Sequence, residues 1–257
     1  MRRIRRPKHI VKAACSLRTA QGDIPFTWAR SSGRRTLTIT VDEHGRVNVA
    51  SPYHMEAKEI QSFIHEKSRW ILEKVREAQS NKDILSQREF AHGQEFLYLG
   101  EKHKVHVIKE NIQRCRISFD AVRGWSVSVP QELTPQERQV QIKNKMLQWY
   151  RAQAKEILGG RIFHYSRLMG VEPKKIAIRT QKRLWGNCDY NTKTINLNWQ
   201  IVLSPLKVID YVIVHELCHL TVPSHSKRFW SKVGKFMPEY QGYRRWLKVN
   251  HLDMVIP

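Results

Sequence analysis

The chain has 257 residues, 41% hydrophobic and 26% charged, with a formal net charge of +22. That length fits one large domain or two smaller ones, and the composition excludes general disorder and a fibrous repeat. The four cysteines, Cys15, Cys115, Cys188 and Cys218, form no CxxC pair and share no spacing, which excludes a disulfide framework and a zinc ribbon and points to the reducing cytoplasm.

Residues 1–22 hold seven Lys or Arg and no acid, and read as a basic N-terminal arm. Its apolar stretch is too short for a secretory signal. Nowhere does the chain approach the roughly 20 apolar residues of a membrane-spanning helix, so no membrane partner is expected. Residues 23–133 are nearly neutral at +2 and read as a strand-rich region. Thr36 to Val41, the turn residues Asp42 to Gly45, and Arg46 to Ser51 alternate apolar and polar as a hairpin does. From about Met55 to Gln79, Ile60, Phe63, Ile64, Ile71 and Val75 recur on one face of a helix. Four short strands follow, at Glu95 to Gly100, Lys104 to Lys109, Arg116 to Asp120 and Trp125 to Pro130, with Gly100 and Gly124 available for turns. No internal repeat or low-complexity linker is visible.

A soft boundary falls near residue 133, where strand periodicity gives way to helix. Residues 134–257 carry +13. Thr134 is placed as an N-cap, Pro135 in the first turn and Glu137 at its third position, which together make a capping box. The helix runs until Gly159 and Gly160 interrupt it. Strands are expected at Lys174 to Thr180 and Thr194 to Ile201, separated by Gln181 to Lys193. Ser204 and Pro205 offer a cap and a first-turn proline to a helix from about Leu206 to Leu220. That helix is apolar on nearly every face and therefore belongs in the interior. His225 to Met237 reads as an amphipathic helix that turns Phe229, Trp230, Val233, Phe236 and Met237 inward.

The buried helix contains H-E-x-x-H: His215, Glu216 and His219. Residues four apart lie one above the other on a helix, so both imidazoles can meet one ion, and Glu216 is turned about a quarter-turn or slightly more toward a water on that ion. With twelve His in the chain, chance alone gives roughly 0.03 such motifs. Two imidazoles beside a carboxylate on an aliphatic helix would be costly without a partner. Zinc in a catalytic site takes three protein ligands and keeps a fourth position open. His225, ten residues after His215, has the spacing of the metzincin third ligand. Val222 stands where that pattern has glycine, so Pro223 and Ser224 must turn the chain instead. Glu239 is the rival third ligand, and His225 is preferred. Cys218 reads as an apolar filler of the helix. Trp185 and Cys188 border the cleft or fill core, Tyr211 faces the site or packs beneath it, and Arg183 is a candidate to hold a substrate anion.

These residues carry a resemblance. Arg183 to Cys188 (RLWGNC) and His215 to Trp230 (HELCHLTVPSHSKRFW) make the chain similar to the YgjP-like metallopeptidase family, whose members usually show R-W-G-S-C, then H-E-L-C-H and a third histidine shortly before F-W. The likeness is carried mainly by residues 134–250. Leu184 stands where the family has Arg, and Asn187 where it has Ser. The resemblance implies His215, His219 and His225 as Zn²⁺ ligands and Glu216 as the catalytic glutamate acting on a zinc-bound water. It also implies distant kinship with SprT-type DNA-associated proteases, and some relatives are described as pyrophosphatases acting on UTP.

The resulting expectation is an α+β protein. It has a strand-rich N-terminal half with one long helix, and a C-terminal zincin-like half, residues 134–257, with the HExxH helix beside a small sheet. The expected function is a zinc metallopeptidase acting on protein or peptide substrates. The alternatives are a UTP-type pyrophosphatase on the same metal, and a nucleic-acid-binding module with structural zinc completed by Cys188 or Cys218. The basic surface suits nucleic acid or a nucleotide as a second partner, and equally suits a role in solubility alone.

Overall fold

A computed structural model describes residues 10–86, 88–181 and 184–256. The first nine residues of the basic arm lie outside the described residues, as does Arg183. The protein is α+β, with five α-helices and three mixed sheets among the described residues. None of these helices is long and apolar enough to cross a membrane. The chain divides into two compact units, Met1–Arg88 and Glu89–Pro257.

In the first unit, β1 (Ile10–Thr19) and β2 (Gly22–Ser31) form an antiparallel hairpin. Part of the stretch read as an arm is thus a strand. Cys15 and Leu17 pack toward the core while Lys12, Ser16 and Arg18 on the alternate positions are exposed, a period-2 pattern that a count of cations conceals. β3 (Thr38–Val41) and β4 (Val47–Pro52) form the expected second hairpin. β4 also pairs with β2 in parallel, giving the order β1-β2-β4-β3. The helix α1 (Ala57–Ser86) buries Ile60, Ile64 and Ile71 with Ile24, Phe26, Val47 and Val49 from the sheet.

The second unit begins by repeating this plan. β5 (Glu95–Tyr98), β6 (Glu101–Glu110), β7 (Arg116–Asp120) and β8 (Gly124–Pro130) stand in the order β5-β6-β8-β7, and the helix α2 (Pro135–Met169) follows. The registers also correspond. Phe26 opposite Val47 answers to Val105 opposite Trp125, and Val41 opposite Val47 to Phe119 opposite Trp125. Asp42 and Asp120 each accept two backbone N–H groups in the tight connection of the second hairpin. Glu59 and Glu137 each accept the backbone N–H three residues earlier, at the helix start. The duplication escapes inspection of the sequence because strand pairing asks only for apolar residues at alternate positions, not for identical ones. The boundary read near residue 133 falls inside this unit, because Trp125, Val127 and Val129 of β8 share a core with Ile142, Met146 and Tyr150 of α2.

The capping box at Thr134 and Glu137 is present as expected. Gly159 and Gly160 do not stop α2, which continues to Met169 and ends at Gly170 in the left-handed conformation, φ 62°. The buried stripe Tyr150, Ala154, Leu158, Ile162, Tyr165 passes straight through the glycines. Burying those side chains outweighs the roughly 1 kcal/mol that each glycine costs a helix.

Beyond α2 come β9 (Lys175–Arg179), β10 (Gly186–Asp189) and β11 (Thr194–Asn198), a small sheet in the order β10-β11-β9. β10 lies inside the segment read only as a separator. A 3-10 helix (Trp199–Leu203) leads to α3 (Leu206–His219). Ser204 does not cap α3, because its hydroxyl donates back to Ile201 O at 2.7 Å. As its composition demands, α3 is almost wholly buried. α4 (Lys227–Phe236) and α5 (Tyr240–Val249) pack on it.

α3 is fastened to α2 by a buried ion pair. Asp210, fully enclosed, accepts Nε and Nη2 of Arg161, each at 2.6 Å. The Arg161→Met variant would strand that carboxylate in the interior and is expected to lose about 3 kcal/mol of stability. A lower urea midpoint at unchanged slope would show it, and Arg161→Met with Asp210→Leu should recover most of the loss.

Candidate metal centre

The C-terminal end of α3 and the turn after it bring three imidazoles to one point. His215 and His219 stand one turn apart on α3, and His225 precedes the Ser226 cap of α4. Nε2 of His225 lies 3.0 Å from Nε2 of His215 and 3.1 Å from Nε2 of His219. Among the described residues these three form the one cluster of side chains that could hold a metal ion. Glu239 is not in it; its carboxylate accepts the Tyr243 hydroxyl at 2.9 Å. Cys188 and Cys218 are not in it either, and Cys218 is core.

The hydrogen-bonding chemistry of the cluster fits a cation. His219 Nδ1 faces the Val222 carbonyl at 3.0 Å. A carbonyl only accepts, so the proton sits on Nδ1 and the lone pair of Nε2 points into the cluster. With two neighbours, a proton on His225 Nε2 could satisfy only one of them. Burial pushes His215 down to about 3, helped by His219, His225 and Arg244, and burial also lowers His219. Both rings are therefore neutral, the form that ligates metal. The chain reverses after α3 without glycine because no backbone there needs a positive φ: among described non-glycine residues only Leu99 and Lys193 have one.

Aromatic rings fix the imidazoles from behind. Phe229, fully buried, lies 4.9 Å from His215, 4.4 Å from His219 and 4.8 Å from His225, centroid to centroid. Trp230 stacks on His225 at 5.6 Å and lies 5.8 Å from His215. The helical spacing of Phe229 and Trp230 marked them as inward-facing, but not as the support of the histidines.

Glu216 is 5% exposed, and burial raises its carboxyl to about 8. β10 covers it. A Cβ added at Gly186 would lie 2.9 Å from both Cγ and Oε1 of Glu216 and 3.0 Å from Leu197 Cδ2. Gly186 is therefore a site residue that nothing in its local sequence singles out. Cys188, two residues along the same strand, is raised to about 11 by burial and by the Glu216 charge. Trp185 is partly buried against the core, its ring 5.5 Å from that of His251. Tyr211, buried one turn before His215 with its ring 5.9 Å away, keeps its proton to about 12 because of burial.

The sequence pattern of the YgjP-like metallopeptidase domain matches residues 35–250. Among solved structures, the metallopeptidase zymogen abylysin of Pyrococcus abyssi is 23% identical over 38% of this chain and 99% of its own, with a TM-score of 0.34. The metallopeptidase zymogen jannalysin of Methanocaldococcus jannaschii is 20% identical over 37% of this chain and 94% of its own, with a TM-score of 0.33. No curated protein sequence matches the chain.

Proposed function

Because the chain belongs to the YgjP-like metallopeptidase family, we propose that it is a zinc-dependent peptidase in which His215, His219 and His225 hold the ion and Glu216 moves the proton. The observation that carries this reading is the meeting of three Nε2 atoms, two pairs of them 3.0 and 3.1 Å apart, beside a buried carboxylate. When bound, the ion supplies a Lewis acid that polarises the scissile carbonyl and acidifies water. Glu216, buried beside the cluster, accepts a proton from the attacking water and delivers it to the nitrogen of the departing amine. Gly186 lets that carboxylate rest against β10 with no side chain between them. Tyr211 retains its proton and can donate a hydrogen bond beside His215. β10 is the edge of its sheet, and an extended peptide laid along it would gain main-chain hydrogen bonds. A nucleoside triphosphate has no use for such an edge.

The test uses zinc-loaded protein incubated separately with an unfolded protein and with UTP. Peptide fragments that disappear with a chelator are expected, together with a His225→Ala variant that binds less zinc. UMP without fragments would transfer the activity to nucleotides, and undiminished zinc in His225→Ala would remove the ligand assignment.

A further inference from the structure

The proposed peptidase site is bordered by cations. Residues 227–249 carry Lys227, Arg228, Lys232, Lys235, Arg244, Arg245 and Lys248 against a single acid, Glu239. Among these, Arg244 is the one set over an aromatic ring that touches the histidines. Its guanidinium carbon sits 5.3 Å from the centre of the Trp230 ring, and that ring stacks on His225 and reaches His215. Tyr240 stacks against Trp230 at 5.2 Å. Tyr243, beside Arg244 in sequence, lies 6.4 Å from Tyr211, which itself faces His215. α5 thus sets a charged fork on an aromatic shelf that continues directly into the three histidines. Arg244 is exposed, and among the described residues no ion pair engages it. An arginine fork held over an aromatic face is built for planar, bidentate recognition of a carboxylate.

We infer that Arg244 is a specificity-determining residue that binds a carboxylate of the substrate beside the scissile bond, so that the enzyme takes acidic segments of protein chain. The inference rests on the peptidase reading for its substrate class. The carboxylate is that of an Asp or Glu side chain or that of the chain terminus, and both sources present the same group to the fork. Phosphodiesters would also be drawn to a cationic rim, but a rim spread along α4 and α5 would attract them without singling out Arg244.

The test measures binding first, so that it does not depend on turnover. Zinc-loaded Glu216→Gln protein is titrated with fluorescent peptides blocked at both ends that differ only in carrying one Glu or one Gln, and with the Gln peptide bearing a free C-terminus. At low salt the peptide with a carboxylate is expected to bind at least about tenfold tighter. Adding Arg244→Gln should erase the difference without changing the affinity of the blocked Gln peptide, and Arg244→Lys should restore part of it. The Glu peptide and the free-terminus peptide separate the two sources. In the protein with Glu216 intact, Arg244→Gln should raise KM for the preferred peptide and leave kcat nearly unchanged. Equal loss for all peptides, an undiminished preference in Arg244→Gln, or an oligonucleotide that alone binds in an Arg244-dependent way would overturn the inference. If Glu216-containing protein cleaves no peptide although it is fully zinc-loaded, the peptidase reading fails, and the binding titration still decides what Arg244 recognises.

Discussion

Glu216→Gln is expected to leave zinc content intact while slowing peptide hydrolysis roughly 10²–10⁴-fold, the usual contribution of a positioned proton carrier. The amide keeps the shape of the side chain beneath Gly186 but cannot take up the proton. Metal analysis and single-turnover cleavage on the same preparation separate the two effects, and a variant that turns over normally would end the assignment. A second expectation concerns the metal-free protein. Folded, Glu216 holds its proton up to about pH 8, whereas a free carboxyl releases it near 4.5. Between those values the unfolded chain gains by ionising and the folded one does not, so wild-type stability falls as pH rises through the window. The glutamine variant is free of that loss, and its advantage in denaturant titrations should grow to on the order of 4 kcal/mol at pH 8. His215 acts with the opposite sign. Kept neutral down to about 3 against an ordinary 6.5, it makes both metal-free proteins lose stability as the medium becomes more acidic than pH 6.5.

Gly186→Ala is expected to lower kcat by roughly 10²-fold with zinc content unchanged, because displacements of about 1 Å at a reacting group have effects of that size. The new methyl would stand 2.9 Å from Cγ and Oε1 of Glu216 and 3.0 Å from Leu197 Cδ2, contacts that oblige the carboxylate or the strand to move. The conformation of Gly186 is one that alanine accepts, since its φ is not positive. Any effect therefore comes from crowding and not from backbone strain. A kcat equal to wild type would show that β10 does not set the position of Glu216.

The centre of this site was legible because it is local. The pair His215 and His219 needs only the pitch of a helix, and the aliphatic run around them announces that the helix is interior. His225 was within reach because it lies ten residues after His215. The remainder depends on contacts between segments far apart in the chain. β10 reads Gly-Asn-Cys-Asp, without a β-branched or aromatic residue, and exists as a strand because β11 pairs with it. Its glycine acquires meaning only when Glu216 arrives beneath it. Arg244 is one of 45 Lys and Arg residues, and what distinguishes it is the Trp230 ring that it rests on. In the fold, the hairpin of β3 and β4 and the capping box at Thr134 were readable from alternation and residue type, whereas the strand within the basic arm and the missing cap at Ser204 were not. The extent of α2 was not, because local signals favoured a break at its two glycines and tertiary burial overruled them.

The twin hairpin-and-helix plan sets a sorting problem for the newly made chain, since a strand from one copy offers nearly the same ladder as its counterpart in the other, a known route to misassembly in repetitive proteins. Size discriminates between them. Where the first copy places Val47, the second places Trp125, enclosed by Tyr98, Phe119, Trp149 and Tyr150. An indole cannot enter a space shaped for valine, and a valine there would leave a void, so cross-copy pairings are penalised from either direction and each sheet closes on its own strands.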